Sequence, residues 1–566
     1  MNSVFFIAVR RLRAPLIFMI IIFAVATAGL SLIPGVDGDG RPVHLSLFQA
    51  FYFVSYTATT IGFGEIPYAF TDRQRLWVTV IIYLSVLGWA FLLGGILALF
   101  QDKGFQQALM SARFRRVVRH FREPFYVICG LGETGLMVAR SLDQLNFRFV
   151  VLDADELRIQ ELELEELASD PPAMAADARL PDILAMAGLL KPECQGILAM
   201  SNDDDTNLAI AIAVRLLRPG LRVICRCHSA ETAASMATIG VYQIINPFRE
   251  FGERLALAMR APNSCRLLSW LTGLPGSHLP PRPPAPPGRW IVCGYGRFGS
   301  EVVAAILRGG FDVRIIDPRG VPMPDLKLVS GHGTDAVVLR EAGIEGAAGI
   351  VAGTDDDTAN LAIAIASRQM NPNVFVILRQ NLARNRPLFE ACKADMIMVS
   401  SQIIANECLA ILRTQLLAEF LAIVRARDDS WADRVVERLR AIVGEEVPQF
   451  WSVAISASET PGFLDVMRRA SNPVDLSDLY RDIASRERRS VIIALMMVRA
   501  GNVTELPGDN MEVQLGDQFL FAGTLTAQRD LTHMLRNSNV AQYVIAGGSE
   551  LGGSVWRHVS RALLAK

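Results

Sequence analysis

Apolar residues are unevenly distributed along the chain. Two uncharged runs, residues 16–33 and 76–100, contain about 18 and about 25 residues, and each is long enough to cross a hydrocarbon layer of about 30 Å. We therefore predict membrane spans at residues 14–33 and 76–100, inside a pore domain of residues 1–105. A cleaved signal peptide is the alternative for the first span, but its length and the lack of a small-residue cleavage pattern before Pro34 favour a retained anchor.

A short apolar segment lies between the two spans. Ser46 and Gln49 have the spacing of a capping box, and apolar residues begin directly after them. We predict a re-entrant helix at residues 46–58, followed by a filter at residues 59–64. The carbonyl end of this helix would point toward the pore centre, where the negative end of the helix dipole favours a cation.

The strongest functional signal in the chain is the segment that follows, Thr59-Thr60-Ile61-Gly62-Phe63-Gly64-Glu65. An extended segment of this composition can direct successive carbonyl oxygens, and a Thr hydroxyl, at the axis along which a dehydrated potassium ion is held. Its glycines supply the backbone angles that such an arrangement requires. The segment resembles the Thr-Val-Gly-Tyr-Gly selectivity filter of potassium channels, with Ile61 for Val, Phe63 for Tyr, and Glu65 for the more usual Asp.

This resemblance implies a potassium-selective pore. The filter residues would be Thr60, Ile61, Gly62, Phe63 and Gly64, with potassium held by the backbone carbonyls of the first four. Because one chain supplies one quarter of the ion cage, we expect four copies around the axis, a homotetramer.

Two positions in the second span are candidates for gating. Gly88 interrupts the apolar helix and is a candidate hinge, with close helix packing as an equal alternative. Leu97 is a candidate member of an apolar constriction that closes the pore by dewetting.

Basic residues flank both spans on the same side. Arg10, Arg11 and Arg13 precede the first span, and Lys103 and four arginines between residues 113 and 119 follow the second. Positive charge is retained on the cytoplasmic side. We therefore expect a multi-pass protein of the cell (inner) membrane with both termini in the cytoplasm.

The rest of the chain contains an internal duplication. Residues 126–135 match residues 290–299 around a glycine-rich turn, and residues 203–211 match residues 355–364 around three consecutive aspartates. Each glycine turn follows an apolar strand, opens a helix and precedes a second strand that ends in Asp153 or Asp317. This alternation predicts two α/β Rossmann-like domains with parallel sheets.

Each duplicated half carries a candidate nucleotide site. The glycines permit a tight turn and the approach of a pyrophosphate to a helix N-terminus, and an Asp at the second strand end accepts hydrogen bonds from a ribose, which favours NAD, ADP or ATP over NADP. The predicted binding residues are Gly130, Gly132, Glu133, Thr134, Gly135, Asp153 and Asp177 in the first half and Gly294, Gly296, Arg297, Phe298, Gly299, Asp317 and Asp335 in the second.

The two predicted sites are unequal. Arg297 can neutralise phosphate charge, whereas Glu133 at the matching position would repel it unless a divalent cation or a basic neighbour intervenes. We therefore prefer the second site for nucleotide. The alternative for both is a fold that has kept its turn and lost its ligand.

The aspartate triplets and the cysteines each allow two interpretations. Residues 203–205 and 355–357 are expected to cap helices, and binding of calcium or another divalent cation is the alternative. The eight scattered cysteines suit a reduced compartment, and Cys225 and Cys227 are expected to be buried strand thiols rather than metal ligands. The net charge of −1 provides no basic surface for nucleic acid.

Composition shifts indicate the remaining boundaries. We predict a linker at residues 106–122, a first Rossmann-like domain with crossover helices at 123–278, a proline-rich linker at 279–288, a second Rossmann-like lobe at 289–412, and a helical connection with a small α+β C-terminal lobe at 413–566. Helices near residues 248–274 are expected to pack on a partner domain. Residues 543–553 look like a third glycine turn.

One filter, two spans and tandem Rossmann-like domains together resemble the prokaryotic potassium channels gated by RCK (regulator of potassium conductance) domains. The resemblance implies that RCK domains pair across their helices and that eight of them form a ring below a tetrameric pore. It also implies that nucleotides or divalent ions change this ring, which pulls on the pore through residues 102–122, and that the protein is a ligand-gated channel with no catalytic residues.

Two other functions are compatible with the glycine turns. A membrane-tethered NAD-dependent oxidoreductase would use the same turns, but the seven histidines form no evident acid–base constellation and no catalytic domain is recognisable. A regulatory subunit of a separate potassium transporter would not need a filter of its own.

Overall fold

A computed structural model describes residues 2–36, 40–273, 277–279, 285–320, 326–469 and 473–547. The chain divides into two compact units, residues 1–121 and 122–566. The elements of the first unit are α1 (Asn2–Leu32), β1 (Gly35–Val36), β2 (Pro42–Val43), α2 (Leu47–Ala58), α3 (Asp72–Gln101) and α4 (Lys103–His120).

Two helices of the first unit are long and apolar enough to cross a membrane, at Ala8–Leu32 and Asp72–Gln101. Both are longer than the predicted spans because charged residues at their ends continue the helices. The predicted boundary at residue 105 falls inside α4, since Asp102 is the N-cap of this helix. The Asp102 carboxylate accepts a hydrogen bond from Phe105 N at 3.0 Å and pairs with Arg11 of α1 at 2.6 Å.

The short helix α2 packs between the two long helices. It starts at the capping box that the spacing indicates: Ser46 Oγ accepts from Gln49 N at 3.2 Å, and Gln49 Oε1 accepts from Ser46 N at 3.0 Å. Phe53 on its buried side shares a core with Leu30 of α1 and Ile81 of α3. This core holds α2 in place at the start of the filter segment.

The second unit begins with a doubly wound half. Its six parallel strands have the order β5-β4-β3-β6-β7-β8, so the direction of winding reverses between β3 and β6 and opens a crevice at their carboxyl ends. Its elements are β3 (Phe125–Cys129), α5 (Glu133–Gln144), β4 (Arg148–Asp153), α6 (Glu156–Glu163), β5 (Ala173–Ala175), α7 (Pro181–Met186), β6 (Cys194–Ala199), α8 (Asp204–Leu217), β7 (Arg222–Arg226), α9 (Ala230–Thr238), β8 (Gln243–Ile245), α10 (Pro247–Arg260) and α11 (Pro262–Leu271).

The second half repeats this topology, with six parallel strands in the order β11-β10-β9-β12-β13-β14. Its elements are β9 (Trp290–Cys293), α12 (Arg297–Arg308), β10 (Val313–Asp317), β11 (Lys327–Ser330), α13 (Ala336–Glu341), a 3-10 turn (Ile344–Gly346), β12 (Gly349–Ala352), α14 (Asp357–Met370), β13 (Phe375–Gln380), a 3-10 turn (Ala383–Asn385), α15 (Arg386–Cys392), β14 (Met396–Val399) and α16 (Ser400–Arg413). The prediction of two parallel Rossmann-like domains is confirmed.

The two halves exchange helices. Phe251 of α10, which follows the first sheet, is buried in one core with Trp290 of the second sheet. Ile404 of α16, which follows the second sheet, is buried with Ile128 of the first. Of the helices predicted near residues 248–274, α10 thus packs on the other half of the same chain, whereas α11 packs on helices between residues 415 and 443. The exchange of α10 and α16 ties the halves together.

A small α+β lobe follows, as predicted. Its antiparallel sheet has the order β15-β18-β16-β17, and positive φ at Ala500 and Gly501 forms the turn between β16 and β17. Its elements are α17 (Gln415–Ala426), α18 (Asp429–Val443), β15 (Gln449–Ala454), α19 (Pro461–Met467), α20 (Leu476–Leu479), β16 (Ile492–Arg499), β17 (Asn502–Glu505), β18 (Gln518–Gly523), α21 (Leu525–Arg536) and α22 (Ser538–Ala546).

Two features of the sequence fall partly outside the described residues. Residues 280–284 of the proline-rich linker are among them. The interpretation of residues 543–553 as a third glycine turn is wrong where the structure describes them, because residues 543–546 end α22 instead of forming a strand. The remainder, residues 548–553, lies outside the described residues.

Candidate functional site

The filter segment alternates in backbone handedness. φ is 64° at Thr60, 66° at Gly62 and 91° at Gly64, and it is not positive at Ile61 or Phe63. The expectation that the two glycines supply special backbone angles is confirmed, and Thr60 has a positive φ as well. In a regular strand, by contrast, successive backbone groups point to opposite sides. Alternation of the sign of φ turns successive peptide planes the same way, so their carbonyls can face one axis, as coordination of a dehydrated cation requires.

The last two residues of the filter contact α2. Tyr56 Oη donates a hydrogen bond to Gly64 O at 2.6 Å, and the Tyr56 and Phe63 rings meet edge to face with centroids 5.4 Å apart. Tyr56 is buried. A hydroxyl on α2 therefore supports the filter backbone in a chain that has Phe63 where other filters have Tyr.

The outer end of the filter is held by Glu65. Its carboxylate accepts hydrogen bonds from Arg75 Nε at 2.9 Å and Arg75 Nη2 at 3.1 Å, and from Phe70 N at 2.8 Å. Bidentate pairing of this kind fixes both position and orientation. Glu65 thus reaches the first turn of α3 and connects the filter to that helix.

The two gating candidates lie on a continuous α3, away from the filter. A Cβ atom on Gly88 would be 2.6 Å from Met19 Sδ and 2.9 Å from Ile22 Cδ1, so this glycine allows close packing of α3 on α1. Leu97 is 62% exposed. Packing therefore explains Gly88 in this structure, and the hinge at Gly88 and the gate at Leu97 stay predictions.

In the second half, the glycine turn opens a cavity of about 520 Å³, here called the α12 cavity. Gly294 has a φ of 91°, and a Cβ on Gly299 would lie 1.9 Å from Gly294 O, so only glycine fits there. Of the predicted residues, Gly294, Gly296, Arg297, Phe298 and Asp317 line this cavity.

Asp317 is a buried anion at the edge of the α12 cavity. Its carboxylate accepts from Tyr295 N at 2.7 Å and from Arg319 N and Nε at 2.9 and 3.0 Å. The Arg319 guanidinium, more than any other group, lowers the pKa of Asp317 to about 2. The carboxylate stays charged at neutral pH. Because Arg319 Nη2 also donates to it at 3.1 Å, a ligand hydroxyl would have to replace one of these four donors.

In the first half, the same turn geometry faces a different cavity. Gly130 has a φ of 97°, and a Cβ on Gly135 would lie 1.9 Å from Gly130 O. The α5 cavity, of about 550 Å³, is lined by Gly132, Glu133 and Thr134 of this turn and by residues 380–383 and 399–401 of the second half. It lies where the two halves meet.

Glu133 makes a structural contact. Its Oε1 accepts a hydrogen bond from Ala383 N of the second half at 2.9 Å. The neighbouring cations Arg158, Arg226, Arg297 and Arg379 line the same cavity. The basic neighbours that the sequence interpretation required beside Glu133 are therefore present, and three of them come from distant parts of the chain.

Three predicted carboxylates lie outside both cavity linings. Asp153 is buried, accepts from Leu131 N and from Asp155 N at 2.8 Å, and has Arg158 at 3.5 Å. Asp177 pairs with Arg179 at 2.8 Å. Asp335 caps α13 by accepting from Val337 N at 2.8 Å. These side chains shape loops near the sites instead of lining them.

The aspartate triplets cap helices and anchor loops. Asp203 accepts from Thr206 N at 3.1 Å, and Asp356 accepts from Thr358 N at 2.8 Å. The adjacent Asp204 accepts from His228 N at 2.9 Å. Burial is the main cause that lowers the pKa of His228 to about 4, so this ring is neutral at pH 7. Capping thus accounts for Asp203 and Asp356, whereas Asp204 anchors a loop and Asp355 pairs with Arg379. Cys225 and Cys227 are buried thiols.

Sequence reasoning missed two arginines that the duplication makes equivalent. Arg226 and Arg379 follow Asn207 and Asn360 by the same number of residues, and each carbonyl accepts a hydrogen bond from that Asn, at 2.9 and 2.8 Å. Arg226 lines the α5 cavity, and Arg379 lines both cavities. Extending the internal comparison past the aspartates would have found them.

Comparison with known families agrees with this arrangement. Residues 16–102 match the ion channel family, and residues 126–247 and 290–400 both match the TrkA-N domain family. The chain therefore contains a domain of the ion channel family and two domains of the TrkA-N family. The filter segment lies within the channel match, and both glycine turns lie within the TrkA-N matches.

Two curated relatives of the chain are potassium channels by name. Potassium channel protein 1 of Methanocaldococcus jannaschii is 27% identical over 216 residues, which cover 37% of this chain and 61% of that protein. Probable potassium channel protein 2 of the same organism is 26% identical over 243 residues, which cover 42% of this chain and 66% of that protein. The chain thus spans less than two thirds of the length of these relatives.

Solved structures of GsuK resemble this chain at low identity. The GsuK channel bound to NAD is 15% identical with a TM-score of 0.47, covering 92% of this chain and 98% of that one. GsuK bound to ADP is 21% identical with a TM-score of 0.45, covering 71% and 99%.

Proposed function

We propose that the chain forms a homotetrameric potassium channel of the cell membrane, controlled by an adenine nucleotide, ADP or NAD, bound at the glycine turns. The observation that carries this proposal is the alternating φ of residues 60–64, which lets four chains present carbonyls to one axis. Tyr56 and Glu65 hold this backbone from two sides. The names of the curated relatives, which are potassium channels, support the same function.

The α12 cavity is the proposed main nucleotide site. Arg297 is exposed at the first position of α12, and its guanidinium makes no hydrogen bond or ion pair to any described residue, so its charge is free for a phosphate at the helix N-terminus. Asp317 is placed for a ribose hydroxyl, and Arg319, which would suit a 2′-phosphate, is held by Asp317. These features favour ADP or NAD over NADP.

The proposal includes no divalent cation. Among the described residues, no group of three or more His, Cys, Asp or Glu side chains is arranged to hold a metal ion. The aspartate triplets, which were the sequence candidates, are occupied with helix capping and loop contacts.

The assembly and orientation follow from charge and copy number. Basic residues flank both spans on one side, which favours cytoplasmic termini. Four chains with two RCK domains each would supply eight domains to a ring. For a nucleotide to open the pore it must bind the open ring more tightly than the closed one, and a tenfold preference at each site contributes about 1.4 kcal/mol.

Ion flux from liposomes tests this function. We expect purified protein to release potassium in preference to sodium, and ADP or NAD to change the rate. Gly62→Ala should abolish selective flux, because alanine at a φ of 66° costs about 1 to 2 kcal/mol in each of four chains. Tyr56→Phe, which removes one hydrogen bond, should shorten the conducting state without abolishing selectivity.

Two outcomes would decide against the proposal. Absence of barium-sensitive potassium flux with and without nucleotide would contradict the channel. Hydride transfer from NADH by protein that carries no flux would instead support the oxidoreductase alternative.

A further inference from the structure

The two nucleotide cavities have residues in common. Arg297, Arg379 and Phe248 line both the α12 cavity and the α5 cavity. Phe248 belongs to α10, the helix that the first half contributes to the second, and the Arg379 guanidinium lies 4.9 Å from the centre of its ring. The cavities are therefore adjacent spaces separated by shared side chains.

The shared wall is positively charged. Burial lowers the pKa of Arg226 to about 10, Asp204 and Glu133 oppose this shift, and Arg297 adds to it. Burial also lowers the pKa of Arg379, where Asp355 opposes the shift and Arg297 adds to it. Like charges of this kind repel one another at low dielectric, so an anion that enters either cavity relieves repulsion felt in both.

The buried guanidiniums are incompletely paired. Arg226 donates to Thr134 Oγ1 at 3.0 Å, to Asn202 Oδ1 and to His228 Nε2 at 3.0 Å, and its Nε has no hydrogen-bond partner among the described residues. Arg379 Nη1 pairs with Asp355 at 2.6 Å, but that carboxylate is 92% exposed, and Arg379 Nε also has no partner in the described part of the chain. Two buried guanidiniums that have one exposed carboxylate partner between them there favour an anionic ligand.

We propose that the two cavities bind polyphosphate ligands with negative coupling, because both draw on the guanidiniums of Arg297 and Arg379. The inference rests on the proposed nucleotide binding and adds its regulation. One guanidinium makes a bidentate contact with one phosphate at a time, so the second ligand meets fewer free donors and a lower positive potential. We expect the second ligand to bind at least about tenfold more weakly than it would to the empty chain.

Calorimetric titration of the detergent-solubilised full chain with ADP tests the coupling. Ala359→Phe would fill the α12 cavity, which Ala359 lines, and Leu382→Trp would fill the α5 cavity, which Leu382 lines. Each variant reports the affinity of the other cavity alone. If the cavities are coupled, the second ADP to bind the unmodified chain should bind more weakly than ADP binds either single-cavity variant. An isotherm equal to the sum of the two single-cavity isotherms would overturn it.

A pair of charge variants provides an independent measurement if a filled cavity prevents folding. Arg297→Met removes a shared charge, and it should weaken both steps and bring them closer together. Arg158→Met removes a charge that lines the α5 cavity alone. It should weaken ADP binding at the α5 cavity and leave the coupling between the cavities unchanged. Equal effects of the two variants would contradict the proposal. Failure of ADP to bind the unmodified chain at all would overturn the nucleotide proposal itself, whereas two independent sites would overturn the coupling only.

Discussion

The two Rossmann-like halves have the same glycine turn and different residues on it. In each half, a Cβ on the third glycine would lie 1.9 Å from the carbonyl of the first, so the backbone geometry is equally constrained. At the next variable positions the first half has Glu133 and Thr134, and the second has Arg297 and Phe298. The duplication has kept the backbone that forms a phosphate site and has changed the side chains that would use it.

The side chains differ in what they contact. In the first half, Glu133 bonds to Ala383 of the other half and Thr134 accepts from Arg226. In the second half, Arg297 has no such partner in the described part of the chain, and Phe298 stacks under Arg379 with 5.5 Å between guanidinium and ring centre. The first turn is therefore committed to structure, and the second is free to meet a ligand.

The largest expected effect tests what the halves have in common. Gly135→Ala and Gly299→Ala should each destabilise the protein by about 3 kcal/mol or more, because the added methyl overlaps a backbone carbonyl that cannot move independently. Thermal unfolding of the purified channel measures this. Gly296→Ala, where nothing lies within 4 Å of the new Cβ, is the matched control and should be nearly neutral. A large loss of stability from only one of the two substitutions would show that the two glycine turns are not equivalent.

The next largest effect is a difference between the two halves in ADP binding. Arg379→Met should weaken binding at both cavities by about tenfold to a hundredfold, because a charge-assisted hydrogen bond contributes about 1.5 to 3 kcal/mol. Arg226→Met, its equivalent in the first half, should affect the α5 cavity alone. Calorimetry distinguishes the two patterns, and identical effects would show that the halves use their arginines in the same way.

A smaller effect should distinguish the turn residues by stability. Glu133→Gln should cost about 1 kcal/mol of unfolding free energy, since it weakens the hydrogen bond to Ala383 N between the halves. Arg297→Gln should cost nothing measurable in the absence of nucleotide. Chemical denaturation of both variants checks this. A loss of stability in Arg297→Gln as large as that in Glu133→Gln would contradict the assignment of the two turns.

The smallest effect concerns the exchanged helices. Glu250 of α10 and Glu407 of α16 share Arg425, at 3.3 and 3.5 Å. Burial, and then repulsion by Glu407, raise the pKa of Glu250 from 4.5 to about 7, with Glu253 and Arg254 nearby. The contribution of Glu250 to stability is therefore complete below pH 4.5 and is lost as the pH rises through 7.

We expect melting temperature to fall between pH 5 and pH 8 by an amount equivalent to about 1 kcal/mol. Glu250→Gln should flatten this dependence. An unchanged slope in Glu250→Gln would remove Glu250 as its source.

Much of the fold could be predicted from local sequence. Apolar runs indicated the spans, the Ser46 and Gln49 spacing indicated the start of α2, and repeated glycines and strand-end aspartates indicated both Rossmann-like halves, because each signal lies within about twenty residues. The helix exchange was predicted only as packing on an unspecified partner. Its details depend on contacts between distant segments, as between Phe251 and Trp290.

The sites were less predictable for the same reason. The glycine turns identified one wall of each cavity, but Arg379 and residue Ala383 come from far along the chain. Asp177 and Asp335 were predicted as site residues by analogy between the repeats. In the structure Asp177 pairs with Arg179 and Asp335 caps α13. The filter sequence indicated the chemistry, whereas the support from Tyr56 and Arg75 required the packing of α2 and α3.

The central claim is that nucleotide at the second turn controls potassium conduction. Its most direct test is potassium flux from liposomes as a function of ADP concentration, compared between the unmodified chain and Arg297→Met. We predict potassium-selective flux that ADP changes, and a midpoint concentration at least about tenfold higher in the variant, equivalent to about 1.4 kcal/mol of lost binding. Flux that is not selective for potassium, or an ADP midpoint that Arg297→Met leaves unchanged, would contradict this account.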